Sequence, residues 1–271
     1  MTIDNLKGYK GNINLKGINQ EIDWTPELVS EYIKCYNDPI YFIETYMKII
    51  NVNEGLVSFK LYDYQKEMIN GFKENRFNII TTARQSGKST TTCGFILWYI
   101  IFQSEKTVAL LANKGDTARE ILSRIQLAFQ HLPKWLQQGV REWNKGSLEL
   151  ENNSRVIAAA TSASAIRGYT INLLFIDEAA FIDNWEEFFT SVYPTISSGS
   201  DTKVVLVSTP NGLNHFYSIW INAKENRNNY FHMEVLWQNV PGRDEQWKND
   251  TLAAMNFDTE KFNQEYSCEF L

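Results

Sequence analysis

The sequence predicts an α/β fold: a mostly parallel sheet with helices on both faces, and a small helical subdomain on its N-terminal side. Three observations carry this. Short, wholly apolar runs alternate with longer amphipathic ones along most of the chain, as buried parallel strands separated by helices do. Three of those runs end abruptly in polar or charged residues, at Thr81-Thr82, Asp177-Glu178 and Ser208-Thr209, and the carboxyl ends of parallel strands are where such a sheet exposes its chemistry. Finally, 271 residues with 44% hydrophobic and 21% charged side chains suit one large α/β domain, or one domain with a small subdomain.

The elements read in order. Residues 1–23 are rich in Asn, Gly, Lys and Ile with weak periodicity and are expected to be an arm or a poorly ordered leader. Trp24-Thr25-Pro26-Glu27 is a helix start, with Thr25 as N-cap, Pro26 in the first turn and Glu27 favoured by the dipole. Leu28, Val29, Tyr32, Ile33 and Tyr36 continue it at helical spacing. Asn37-Asp38-Pro39 interrupts, and Ile40 to Ile50 reads as a second helix. Leu56 to Phe59 is strand-like, and Leu61 opens a helix to about Lys73. The apolar run from Asn78 leads into Gly87-Lys88-Ser89 and then a long apolar helix through Cys93 to Phe102. Thr107 to Ala112 is a buried strand, and Asp116 to His131 a helix with one apolar face. Gly146 to Leu150 and Arg155 to Ala160 read as paired strands. Leu173 to Ile176 and Val204 to Val207 are further buried strands, with a helix over Trp185 to Ile196 between them. Leu213 to Ala223 reads as helix, Phe231 to Trp237 as strand, and Asp258 to Cys268 as a last helix. The expected division is an arm (1–23), a helical lid element (24–60), a core (61–212) and a C-terminal part with lid or transmission elements (213–271).

Composition narrows the function classes. The net charge of −6 argues against a wide basic face gripping nucleic acid, so any DNA contact is expected to be a local patch or to lie in another domain or subunit. Cys35, Cys93 and Cys268 stand far apart and form no bridge framework, as expected of buried thiols in a reducing compartment. His131, His215 and His232 show no metal-ligand spacing. The polar N-terminus is no signal peptide, and the apolar run Phe95 to Phe102 is too short for a membrane span. A cytoplasmic protein is expected.

Asn78 to Thr90 is the informative stretch. Strand, polar loop, Gly87-Lys88-Ser89 and helix follow in the order of a phosphate-binding P-loop, in which loop and helix N–H groups hold phosphate oxygens. Thr82, Ala83, Arg84, Gln85, Ser86, Gly87, Lys88, Ser89 and Thr90 are the expected ATP-binding loop. Lys88 would reach the β- and γ-phosphates and the Ser89 hydroxyl would reach Mg²⁺. In G-x-x-x-x-G-K-[ST] the first glycine falls at Thr82, so the strict pattern fails at one position. A Gly-Lys-Ser turn capping a helix would look the same.

A second strand end removes much of that ambiguity. Leu173 to Ile176 is followed by Asp177-Glu178, as in a Walker-B motif. Asp177 is expected to hold the Mg²⁺ hydration shell, and Glu178 to position or deprotonate the water that attacks the γ-phosphate. Acids also favour helix N-termini without any catalytic role. The third strand end, Ser208-Thr209-Pro210, matches the position of a loop that senses hydrolysis beside the γ-phosphate in translocase ATPases. It could equally be a plain Pro-Asn-Gly turn. Upstream, Gln65 could bond both edges of adenine and Tyr64 could stack on the ring. The fold class is therefore that of a P-loop NTPase of RecA/ASCE type.

Taken together, Asp63-Tyr-Gln65, Ala83-Arg-Gln-Ser-Gly-Lys-Ser-Thr90, Glu142-Trp-Asn-Lys-Gly-Ser147, Arg167-Gly168, Ile176-Asp-Glu-Ala-Ala-Phe181 and Ser208-Thr-Pro-Asn-Gly-Leu-Asn-His-Phe-Tyr217 resemble the ATPase domain of the large terminase subunit. That subunit is the DNA-packaging motor of tailed bacteriophages, and the myophage branch looks most similar. The resemblance runs from Trp24 to the last residue. It implies tolerance of a hydroxyl residue at Thr82. It also implies that Arg84 inserts toward the γ-phosphate in the same subunit, that Arg167 reaches a neighbour's site, that Glu178 is the catalytic carboxylate, and that Ser208-Thr209-Pro210 couples hydrolysis to movement. Which arginine acts is left open by the sequence. The implied cofactors are ATP and Mg²⁺. The implied partners are double-stranded DNA, the portal protein and capsid, the small terminase subunit, and further copies in a ring, usually a pentamer; an isolated domain is expected to be a monomer. The implied place is the host cytoplasm, transiently on the procapsid. Family members carry a C-terminal RNase H-like nuclease domain, which would begin about where Glu269-Phe270-Leu271 stand, so no nuclease is expected in these residues.

Two other readings stay in view. A superfamily 2 helicase shares the three motifs, but the stretch after Gly212 is too short for a second RecA-like domain, so only a fragment would fit. An interaction module that binds nucleotide without turnover would keep the loop but has no need of Glu178. Asn113-Lys114-Gly115-Asp116 imitates a guanine-reading N-K-x-D, yet stands close behind the P-loop with no D-x-x-G before it, and is read as coincidence.

Overall fold

The computed structural model describes residues 8–162, 166, 168–197 and 199–271. Two helices, Pro26–Asn37 (α1) and Pro39–Tyr46 (α2), precede a hairpin of Lys48–Asn51 (β1) and Gly55–Ser58 (β2). The first helix starts as expected, with the Thr25 hydroxyl accepting the N–H of Leu28 and Pro26 in the first turn. Asp38 caps the second through the N–H groups of Ile40 and Tyr41. That second helix stops at Tyr46, not Ile50. Ile49 and Ile50 instead pair with Val57 and Leu56 across the hairpin. A short apolar run fits either element, and the partner strand decides.

From Asp63 the chain alternates: Asp63–Glu74 (α3), Phe77–Thr82 (β3), Lys88–Phe102 (α4), Thr107–Ala112 (β4), Gly115–Gln130 (α5), Val140–Trp143 (β5), Ser147–Leu150 (β6), Arg155–Ala160 (β7), Leu173–Asp177 (β8), Trp185–Ser197 (α6), Lys203–Ser208 (β9), His215–Lys224 (α7), Tyr230–Val235 (β10), Glu245–Ala254 (α8) and Thr259–Tyr266 (α9). Eight strands form one sheet in the order β10-β3-β9-β8-β4-β7-β6-β5. Neighbours from β10 to β7 run parallel, and β6 and β5 add an antiparallel edge. β5 is a strand that its short, mixed sequence does not announce; Glu142 to Ser147 turns it into β6. β10 ends at Val235 rather than Trp237, and α8 is a helix beyond those expected.

Both faces of the sheet are covered, which is why its strands read as continuous apolar runs. Successive residues still divide by face. Ile80, Val108, Leu110, Phe175, Val205 and Val207 pack on the side of α3, α4 and α5. Ile79, Ala109, Leu111, Leu174, Ile176, Val204 and Leu206 pack on the side of α6 and α7. α4 is buried almost all round, from Thr91 to Phe102. Among the described residues no helix is long and apolar enough to cross a membrane.

Of the segment expected to be a loose arm, residues 8–23 are docked. The Leu15 side chain is 1% exposed within the main core. Lys16 donates its N–H to Gln137 Oε1 at 2.8 Å, and its carbonyl accepts the N–H of Val140 at 2.9 Å. Its ammonium pairs with Glu151 at 3.2 Å. The polar composition hid a buried leucine, with Tyr9 packed against the same core. Leu15→Ala should destabilise the chain by ~2–5 kcal/mol, the usual loss for a buried leucine. Urea unfolding measures this, and a change below about 0.5 kcal/mol, typical of surface positions, would show that the segment does not bear on the core.

Candidate functional site

The site lies at the carboxyl edge of the parallel strands. Thr81 of β3 stands opposite Ser208 of β9, and Val207 opposite Asp177 of β8. Three strand ends therefore bring the P-loop, the Asp-Glu pair and the Ser-Thr-Pro run to one place. All three sequence-predicted motifs meet there.

The loop from Ala83 to Gly87 is held from outside. The Ala83 N–H donates to Val235 O at 2.6 Å. Arg243 donates to the carbonyls of Arg84 and Gln85 at 2.9 and 3.0 Å. The Tyr64 hydroxyl donates to the Ser86 carbonyl at 2.7 Å. With these carbonyls turned outward, planar trans peptides turn the N–H groups of Gln85, Ser86 and Gly87 the opposite way, toward the cleft. Gly87 has φ +78°, and a Cβ there would stand 2.7 Å from Gln65 Nε2, so the second glycine of the pattern is required. α4 then starts at Lys88, its N-terminus aimed at the same cleft.

Inside the loop two pairs join the motifs. Lys88 Nζ stands 2.7 Å from Glu178 Oε1, and the Ser89 hydroxyl donates to Asp177 Oδ2 at 2.9 Å. Burial opposes the charge on Lys88, but Asp177 and Glu178 outweigh it and hold the ammonium above the usual lysine range. Burial raises the Asp177 carboxyl, with Lys88 partly offsetting it. Glu178 sits at φ +51°, a left-handed conformation that costs a non-glycine residue ~1–3 kcal/mol. The turn after it, Ala179–Phe181, is fastened to the third motif: the Ser208 hydroxyl accepts the Ala180 N–H at 3.1 Å.

Among the described residues, Thr82 Oγ1, Ser86 Oγ and Asp177 Oδ1 are buried without a partner. Hydroxyls beside a phosphate loop, and a carboxylate oxygen next to Ser89, suit phosphate and a hydrated Mg²⁺. Arg84, Asn113, Glu178, Phe181, Thr209 and Glu265 line a cleft of ≈ 260 Å³ on this side. Arg84 is expected to point at phosphate; here its guanidinium pairs with Glu265 at 3.1 Å and its N–H donates to Glu265 O at 2.8 Å. Arg167 lies outside the described residues.

Tyr64 and Gln65, expected to read adenine, spend their polar atoms on the loop and on α3. Gln65 accepts the Tyr62 N–H at 3.0 Å, as a residue in the first helical turn can, and its amide N–H is 3.4 Å from Ser86 O. Both edges of the amide are thus occupied. They still line a second cleft of ≈ 420 Å³, together with Tyr62, Gln85, Gly87 and Val240. Sequence reasoning misses Arg243 and Glu265, which no local motif marks. It also misses Asn211, Asn214 and His215 as separate actors, although they stand inside the quoted run.

The profile of the family described as terminase large subunit, T4likevirus-type, N-terminal, matches residues 79–271. Solved structures share the fold. The large terminase ATPase domain of Thermus phage P74-26 is 20% identical with a TM-score of 0.66, covering 79% of this chain and 95% of that one. The large terminase of bacteriophage HK97 is 17% identical with a TM-score of 0.71, covering 86% and 55%. The large terminase of a thermophilic bacteriophage, in complex with ADP, is 13% identical with a TM-score of 0.62, covering 78% and 54%. The chain thus spans about half the length of the last two.

The Lys88 pairing predicts a pH signature. Without nucleotide, Lys88→Met leaves the Asp177 carboxyl, which burial already raises, without the cation that offsets that rise in the folded state. The variant should melt below the parent at neutral pH, and the deficit should narrow toward about pH 4, where carboxylates take up protons. Thermal unfolding at several pH values checks this; a deficit independent of pH would assign the loss to packing.

Proposed function

The chain belongs to the large-terminase-subunit family, at its N-terminal ATPase domain, and from that premise we propose that it hydrolyses ATP to drive double-stranded DNA into a preformed capsid. One observation carries the hydrolytic half. Lys88 and Ser89 of the loop stand on Glu178 and Asp177 at the end of a strand two places away in the sheet, so binding and bond-breaking groups share one corner.

In this reading the N–H groups of Gln85 to Ser89 hold the phosphates of ATP. The purine lies in the cleft beside Tyr62, Tyr64, Gln65 and Val240, by stacking and apolar contact. Lys88 leaves Glu178 for the β- and γ-phosphate oxygens when ATP enters. The freed carboxylate orients the attacking water and takes its proton. Ser89 and Asp177 would hold Mg²⁺, which would supply positive charge against the phosphates. Arg84, in the cleft with Glu178, must leave Glu265 to face the γ-phosphate; an arginine there contributes roughly 10³–10⁵ in rate in other NTPases. Arg167 is the alternative, supplied to a neighbour in a ring. Ser208, Thr209 and Pro210 would pass the phosphate state to the rest of the chain. Portal, capsid, the small terminase subunit and further copies of the chain are the proposed partners. A net charge of −6 restricts any DNA contact within this chain to a local patch.

Glu178→Gln should bind a fluorescent ATP analogue with near-parent affinity and release phosphate at least ~10²-fold more slowly, as loss of a general base does. Parent-like release by the variant would move the reading to a nucleotide-binding module without catalytic use of Glu178. Arg84→Ala should also slow release while leaving affinity within a few fold; release unchanged by that substitution would leave Arg167 as the acting arginine.

A further inference from the structure

We propose that Asn211, Asn214 and His215 are positioning residues for the Glu178 carboxylate, acting through the backbone of the turn that follows it. The inference rests on the reading of Glu178 as the catalytic base. It concerns groups beyond the Ser208-Thr209-Pro210 run.

Glu178 is in the left-handed region, and its carbonyl accepts the N–H of Phe181 at 2.9 Å, closing a short turn. Both intervening peptides are gripped from the β9–α7 connection. His215 Nε2 stands 2.7 Å from the carbonyl of Ala179; a carbonyl only accepts, so Nε2 carries the proton and donates. The carbonyl of Ala180 receives two amide donors, Asn214 Nδ2 at 2.7 Å and Asn211 Nδ2 at 3.1 Å. The N–H of Ala180 donates to Ser208 Oγ. Each polar backbone group of Ala180, and the carbonyl of Ala179, is thus fixed by a side chain of one short segment.

The donors are themselves fixed. The His215 ring lies flat on Trp185, 4.5 Å between centroids and 6° between planes. Trp185 in turn stacks on Phe189 at 5.0 Å. Asn214 uses its other amide atom to cap α7, accepting the N–H groups of Phe216 at 3.0 Å and Tyr217 at 3.4 Å. Its Oδ1 therefore serves the helix and its Nδ2 serves the turn. A left-handed residue rotates toward ordinary backbone when its neighbours release it. That rotation would carry the Glu178 carboxylate away from the place where it meets water. Any shift of the 208–215 segment is therefore passed to the carboxylate, which ties phosphate sensing to the base itself.

The two functions of Asn214 can be separated. Asn214→Asp keeps the oxygen that caps α7 and loses the donor to Ala180. His215→Phe keeps the ring on Trp185 and loses the donor to Ala179, and His215→Gln restores an N–H. Phosphate release by the full chain should fall roughly 10–100-fold in kcat for Asn214→Asp and His215→Phe, the scale of a carboxylate displaced by about 1 Å. KM and the affinity for a fluorescent ATP analogue should stay within a few fold, and His215→Gln should recover part of the rate. In a Glu178→Gln background His215→Phe should cause no further loss, because no base remains to be placed. Additive losses in that background would assign the contacts to structure alone and overturn the proposal, as would a parent-like kcat in both single variants. A variant that misfolds fails the affinity criterion, and the double-variant comparison then rests on Asn214→Asp. Should Glu178→Gln itself turn over like the parent, it is the reading of Glu178 that fails; if it is inactive while Asn214→Asp and His215→Phe keep the parent rate, only the positioning role fails.

Discussion

A buried ammonium between two carboxylates governs this molecule. Lys88 sits at the start of a helix whose N-terminus already carries partial positive charge, and in a pocket that removes most of its water. Only Asp177 and Glu178 make that charge tolerable. They can reach it only if β3, β9 and β8 lie side by side and end at the same edge. Strand order, register and the parallel direction are thus tied to one electrostatic requirement. A slip of one residue would turn Asp177 into the opposite face of the sheet and leave Lys88 buried with half its compensation.

The loop that carries Lys88 is braced on two flanks. On one side α3 presents Tyr64 and Gln65. On the other, residues 237–266 form a small core of their own, in which Ala83 packs with Trp237 and Phe262. Arg243 lies over Trp247, 4.7 Å from the ring centroid, while its guanidinium grips two loop carbonyls. Stacking holds the plane of the guanidinium, and the plane fixes where its N–H groups point. The loop's shape is consequently a joint property of three segments distant in sequence.

What is local and periodic is legible in the sequence. Wholly apolar runs locate β3, β4, β8 and β9, and the abrupt polar ends of three of them locate the site. The features that escape a sequence reading share physical causes. α8 buries no side chain fully and, of its apolar ones, only Trp247 and Leu252 in part, so it shows no continuous apolar stripe to read. Leu15 is one leucine in a polar segment. Arg243 and Glu265 act on Arg84 and Gln85 across more than 150 positions, where no spacing rule operates. Gln65 looks free for a base because its helix start is legible and its engagement with Ser86 is not.

The last helix joins two of these features. Glu265 of α9 holds Arg84 of the phosphate loop. Its neighbour Gln264 donates to the carbonyl of Pro210 at 3.1 Å. Just beyond, Phe270 lies against Phe216 and Tyr217 at the start of α7. One turn of helix is thus a crossbar between the phosphate loop and the connection from β9 to α7. A load borne by the segment after Tyr266 reaches both at once, as a rigid yoke delivers a single pull to two bearings.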